Sequence, residues 1–212
     1  VIAMEAEGLR ERKKRRTRRH ITEVAAGLFV EHGFDHVTIA EVAAAADVSV
    51  NTVYNYFETK EDLVLPLHQE QRLADIVRAR EPGESAAAAV LAHLRAEVRR
   101  RDRALGLTAG YAGVHAMMLA APTLLARLYD LAVRMNARLA ELLAAETGAA
   151  PGDPLPELVA SQIGWLHGHL LTEIGRGTEA GRTPDDLAED VLALLDVLES
   201  LLGERVLTYA VR

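Results

Sequence analysis

The sequence contains no cysteine. That excludes disulfides, a thiol nucleophile, thiol redox sensing and cysteine-ligated zinc, and it accords with a reducing, cytoplasmic address. Aromatic residues make up only 4% of the 212 residues, while 50% are hydrophobic, mostly Ala and Leu. Such a chain favours helices, because Ala and straight-chain residues lose little side-chain freedom there. No sustained period-two alternation and no Asn-Gly or Asp-Gly hairpin occurs, so no strand is expected. Catalytic motifs are equally scarce. The four serines (Ser49, Ser85, Ser161, Ser200) lie outside any GxSxG. There is no GxxxxGK[ST], and Gly175-Arg176-Gly177 has neither the spacing nor the preceding strand of a dinucleotide loop. His167 and His169 are two residues apart, hence on different helix faces, and make poor joint metal ligands. No catalytic residue, metal site or cofactor is expected.

Long uncharged runs are rare too. The longest, Ala104 to Ala126, has the length of a bilayer span at 23 residues. Gly106, Gly110, Gly113, His115 and Pro122 dilute it, so the expectation is two buried helices joined near Ala121-Pro122, and no membrane partner. No basic-then-apolar leader opens the sequence. The net charge is -7, so binding to a polyanion must come from a local patch. Such a patch exists: Arg10 to Arg19 holds eight basic residues and one acidic.

What is present is helical punctuation. Ile21, Val24, Ala25, Leu28 and Phe29 form one apolar stripe, and Gly33 stops that helix. Thr38-Ile39-Ala40-Glu41 is a capping box opening a short helix with Val42, Ala43 and Ala46 on its apolar face. Ser49 caps a third helix to about Tyr56, and a longer one is expected from Lys60 to Arg80, interrupted at Pro66. Further helices are expected from Ser85 to about Arg101, Pro122 to about Glu146, Glu157 to about Gly175, and Asp185 to Leu202, the last opened by Thr183-Pro184. The expected fold is all-α, with residues 10-65 and 66-206 as separate domains.

Thr38 to Phe57 has helix-turn-helix form: two short helices flanking a turn at Asp47-Val48-Ser49. Three of the chain's nine aromatics fall between Tyr54 and Phe57. VTIAEVAAAADVSVNTVYNYFETKEDL, from Val37 to Leu63, resembles the DNA-binding signature of the TetR family of transcriptional regulators. Val48, Ser49, Thr52, Tyr54, Tyr56, Phe57, Lys60 and Leu63 stand at the matching offsets, and residues 12 to 65 resemble the family closely. Two positions depart from the common pattern. The usual turn Gly is Asp47, which tolerates left-handed geometry, and the residue before Thr52 is Asn51 instead of Gly.

The resemblance implies an N-terminal three-helix reader of double-stranded operator DNA and a C-terminal helical domain for ligand binding and dimerisation. Val42, Ala43, Val48, Val53 and Phe57 are expected in the reader's core. Val50, Asn51 and Asn55 are expected at base edges, since Asn pairs in two places with adenine and Val can touch a thymine methyl. Thr38, Ser49, Thr52, Tyr54, Tyr56 and Lys60 are expected to cap, position or touch phosphates. The basic run is expected along the DNA backbone or in the minor groove, ordering there on binding.

In the second domain, Val159, Ile163, Leu166, Leu170 and Ile174 share one helix face, while Ser161, Gly164, Gly168, Thr172 and Gly175 share the opposite one. The resemblance implies that the last two long helices pair with a partner's as a four-helix bundle, placing Ser161, Gly164, Gly168, Leu194 and Leu198 at a homodimer interface. Tyr111, His115, Met117, Met118, Met135 and Trp165 are candidates for a pocket holding a small, largely apolar effector, their alternative being plain core. The function expected is an effector-released repressor at a palindromic operator. The alternative is an all-helical small-molecule-binding protein or enzyme whose hairpin binds no DNA.

Overall fold

The computed structural model describes residues 8–65, 69–108 and 110–212. Every regular element among them is helical. The helices are α1 (Leu9–His32), α2 (Ile39–Ala45), α3 (Val50–Tyr54), α4 (Arg72–Arg78), α5 (Ala86–Arg100), α6 (Tyr111–Ala120), α7 (Pro122–Thr147), α8 (Leu155–Glu179), α9 (Pro184–Leu201) and α10 (Glu204–Leu207). The chain forms two compact units. One gathers residues 8–65 with 117–125; the other holds 69–116 and 126–212.

In the first unit, α1 buries Ile21, Ala25 and Phe29 completely, with Val24 and Leu28 half-buried beside them. Gly33, at φ 85°, donates its N–H to the Phe29 carbonyl and ends the helix. The helix begins at Leu9, because the basic run continues it. Arg and Lys are good helix formers and no Gly or Pro interrupts them. Residues 11–16 are all exposed.

The second unit is built on α8. Its bulky face, Val159, Ile163, Leu166, Leu170 and Ile174, is at most 2% exposed. Around it lie Val90, Leu91 and Leu94 of α5, Leu139 and Leu143 of α7, and Leu187, Val191 and Leu195 of α9. Ser85 and Thr183 cap α5 and α9 through their side chains, each accepting an N–H three residues on. Buried charge is paired. Arg80, with its side chain 2% exposed, donates to Glu146 and to the carbonyls of Val77, Glu84 and Ala210. Arg72 pairs with Glu97, which also faces His93 at 3.2 Å.

Four expectations are corrected. The helix expected from Lys60 to Arg80 is not continuous: a 3-10 turn spans Glu61–Leu63 and α4 begins only at Arg72. Proline lacks a donor and disfavours helical geometry in the residue before it, so a helix cannot run smoothly through this point. Pro66 itself lies outside the described residues. Second, α3 ends at Tyr54 and not at Tyr56. Third, α8 does not stop at Gly175 but runs to Glu179. Gly175 is filled by the His115 ring and Gly177 by Leu187, so close packing outweighs the low helix propensity of glycine. Fourth, the uncharged run does form two helices meeting at Ala121, bent by 98°, but they are only partly buried, with Leu119 and Leu125 exposed. No single helix among the described residues is long and apolar enough to cross a membrane.

His167 of α8 is buried, and desolvation first, then Arg72, push its pKa down to about 4. Between pH 6.5 and 4 the unfolded imidazole takes up a proton that the folded one refuses. Stability is therefore expected to fall as pH drops through that window, by about 3 kcal/mol at its full extent. Urea melts of wild type and His167→Leu at pH 7 and pH 4.5 check this: the difference between the two pH values should shrink in the variant.

Candidate nucleic-acid interface

The reader is assembled from local rules first. Thr38 caps α2: its hydroxyl accepts the Glu41 N–H at 3.2 Å, and its own N–H donates to the Glu41 carboxylate at 2.7 Å. That backbone bond, then the Thr38 hydroxyl, holds the Glu41 carboxyl below its usual range. After α2 the chain reverses at Asp47, whose φ of 53° is left-handed, the geometry a Gly would adopt without cost. Ser49 then caps α3, accepting the Thr52 N–H at 3.0 Å and bonding the Thr52 hydroxyl at 2.8 Å.

This turn sets which face of α3 looks outward. Val53 and Phe57 are buried together with Val42 and Ala43, while Val48 is half-buried. On the other side Val50, Asn51, Tyr54 and Asn55 are exposed, Tyr54 by 55%. One continuous surface thus carries two amides, a phenol and a short apolar group. Those are the groups that can meet base edges, a phosphate and a thymine methyl. Thr38 is exposed at the start of α2, Ser49 and Thr52 are engaged with each other, and Tyr56 is half-buried against Phe57 at 6.4 Å.

Lys60 lies differently from what its expected phosphate role requires. Its ammonium donates to the Phe34 carbonyl and sits 4.4 Å from the Phe34 ring centre and 5.6 Å from that of Phe29. The two rings meet edge to face at 4.9 Å. Arg18 makes a similar contact, its guanidinium 4.8 Å from the Phe57 ring. Neither clasp was legible beforehand, since each joins residues more than twenty positions apart.

The predicted effector residues divide. Met135 is buried, and Tyr111 and Met118 are half-buried. His115 bonds Glu179 at 2.9 Å and lies 5.9 Å from the Tyr111 ring. Trp165 belongs elsewhere: it is 56% exposed and stacks on His169 at 5.2 Å, on the outer face of α8. A cavity of about 180 Å³ is lined by Leu107, Thr108, Ala112, Thr178, Arg182 and Leu187, and by none of the five residues Tyr111, His115, Met118, Met135 and Trp165.

The expected partner face is corrected as well. Gly164 abuts Asn136 so closely that a Cβ there would sit 1.8 Å from its Oδ1, and Leu198 is 3% exposed in its own core. Leu194 is half-buried. The open face of α8 carries Leu158, Ser161, Trp165, Gly168 and Thr172, and that of α9 carries Val197 and Leu201. Exposed leucine and valine one helical turn apart were the available signal, but period alone did not say which side of α9 was covered.

A helix-turn-helix reader followed by an all-helical second unit defines a class of DNA-binding regulator. The family described as bacterial regulatory proteins, tetR family, matches residues 21–67. The chain is 33% identical over 146 residues to the HTH-type transcriptional regulator TcmR of Streptomyces glaucescens, covering 66% of this chain and 65% of that one. It thus spans just under two thirds of that relative's length. The fold is similar to SmeT, the repressor of the Stenotrophomonas maltophilia multidrug efflux pump SmeDEF (TM-score 0.55, 18% identity, 91% of this chain and 93% of that one). It is likewise similar to NalD, the secondary repressor of the MexAB-OprM multidrug efflux pump in Pseudomonas aeruginosa (TM-score 0.53, 19% identity, 86% and 96%). Residues 21–67 thus match the DNA-binding domain of the tetR family of bacterial regulatory proteins.

Lys60→Ala is expected to lower stability by about 1–3 kcal/mol, because it removes a cation held by two rings and leaves the Phe34 carbonyl without this partner. Denaturant melts check it. An unchanged midpoint together with weaker salt dependence of DNA binding would return Lys60 to a phosphate-contacting role.

Proposed function

We propose that this chain is a homodimeric, effector-released repressor that reads a palindromic operator through the exposed face of α3. The observation that carries the reading is the outward surface of Val50, Asn51, Tyr54 and Asn55, held by a left-handed turn at Asp47 and a capped helix start at Ser49. All four side chains of that surface are exposed. Two copies related by a two-fold axis would present two such surfaces, so the operator should be a palindrome.

Dimerisation is assigned to the open face of α8 and α9. It combines large apolar groups, Leu158, Trp165, Val197 and Leu201, with small ones, Ser161 and Gly168. Bulky groups on one copy can lie against small ones on the other, as close helix packing requires. The effector is a small, largely apolar molecule taken up by the second unit, with Tyr111, His115 and Met135 as candidate contacts. Its binding must favour a geometry with low operator affinity, since only differential affinity shifts the equilibrium.

Operator selection from random duplexes, followed by Asn51→Ala and Asn55→Ala, tests the reading. Each variant should relax preference at one operator position by about 1–3 kcal/mol while leaving affinity for random DNA within twofold. Failure of the wild-type protein to enrich any sequence would overturn it.

Gly168→Leu tests the dimer face cleanly. A Cβ at residue 168 meets nothing within 4 Å in its own chain, so the variant should fold normally. Sedimentation is expected to show dimeric wild type and a shift toward monomer in the variant. A monomeric wild type at micromolar concentration would remove the assigned interface.

A further inference from the structure

The reader carries its charge in an unusual place. From residue 20 to residue 65 there are eight carboxylates and a single cation, Lys60. That cation is turned onto the Phe34 carbonyl and two aromatic rings. α3 itself contains no charged residue, and Asp47 and Glu58 flank it. Taken alone, this part of the domain would be repelled by a duplex carrying one negative charge per about 1.7 Å.

Among the described residues of the reader, the remaining cations all lie in the basic run of α1. Arg12, Lys13, Lys14, Arg15 and Arg16 are all exposed and all helical, in the overhanging first turns of α1. The overhang is not a loose tail. Arg18 stacks on Phe57, three residues beyond the end of α3, and Ile21 and Ala25 below it are fully buried. The direction of the cationic turns relative to α3 is therefore set by the domain core. From Arg12 to Arg18 they extend about 9 Å, at roughly 1.5 Å per residue.

Helical form also decides how such an arm meets DNA. A helix with its side chains is about 10–12 Å across, and the minor groove is about 6 Å wide. We propose that Arg12 to Arg16 form a preassembled cationic helix that lies on the phosphate backbone outside the minor groove and supplies nearly all of the reader's electrostatic attraction. The proposal rests on the DNA-binding reading above, and assigns the backbone contacts to α1 where that reading assigns base contacts to α3.

The experiment measures affinity against salt concentration for the full chain on its selected operator and on random duplex. In one variant Arg12, Lys13, Lys14, Arg15 and Arg16 are all changed to Gln. A second replaces the three arginines of that set by Lys, and a third and fourth are Lys14→Pro and Lys14→Gln. The Gln variant should keep its helical melt, because these side chains lie outside the core. Its log–log salt slope should flatten by about one unit per lost phosphate contact, and its affinity should fall on the order of tenfold per contact at 0.1 M salt, equally on both duplexes. The Lys variant should keep the wild-type slope. Lys14→Pro, which removes one charge but breaks the helix, should lose more affinity than Lys14→Gln. A dicationic minor-groove ligand should leave the slope of the wild type unchanged.

An unchanged slope in the Gln variant, with wild type still selecting an operator, overturns the arm and leaves the reading of α3 standing. Loss of the arm's contribution on adding the minor-groove ligand overturns the placement on the backbone. Binding of the wild type to vesicles of anionic phospholipid, abolished in the Gln variant while DNA binding persists, overturns the proposal in favour of a lipid surface. Wild type that binds no DNA sinks both readings together.

Discussion

The reader depends on one buried ring. Phe29 closes the apolar stripe of α1, takes Phe34 edge-on at 4.9 Å, and lies beneath the Lys60 ammonium. Through it, α1, the turn after α1 and the segment after α3 are tied to one point. α3 is only five residues long, too short to persist on its own, since a helix of that size barely repays its nucleation. Its existence and its orientation come from what it is clasped to. The Arg18 contact on Phe57 is a second clasp of the same kind, cation on ring, likewise on the segment that follows α3.

This arrangement separates two demands on one small domain. The cations of the basic run are kept off the exposed face of α3, which carries amides, a phenol and a valine. Charge-based attraction is indifferent to base sequence, whereas amide and methyl contacts depend on it. A surface rich in carboxylates around a neutral recognition helix weakens every association that lacks well-matched base contacts. In the proposed reading, discrimination rests on α3 and overall attraction on the first turns of α1.

In the second unit, glycines on one helix serve opposite ends. Gly164, Gly175 and Gly177 of α8 are notches filled from within the same chain by Asn136, His115 and Leu187. Gly168 is unfilled. The filled notches let α6, α7 and α9 approach α8 closely, and the unfilled one lies on a face with exposed Trp165 and Leu158. A single helix is thereby the spine of its own core and the carrier of the outward surface.

Much of this was legible in the residues alone. The caps at Thr38, Ser49, Ser85 and Thr183, the stop at Gly33 and the left-handed turn at Asp47 are local, set by neighbours within a few positions. The same holds for the buried stripes of α1 and α8, because helical period places those residues on one side wherever the helix goes. The outward position of Val50, Asn51, Tyr54 and Asn55 followed from the same rules. Tertiary structure alone decided the rest: that Lys60 turns inward, that Gly164 is filled while Gly168 is open, that Leu198 is covered while Leu201 is exposed, and that α8 passes through two glycines. Period tells which residues share a face, but which face is covered depends on a helix arriving from far along the chain. Long-range contacts of that kind leave no trace in any short window of sequence.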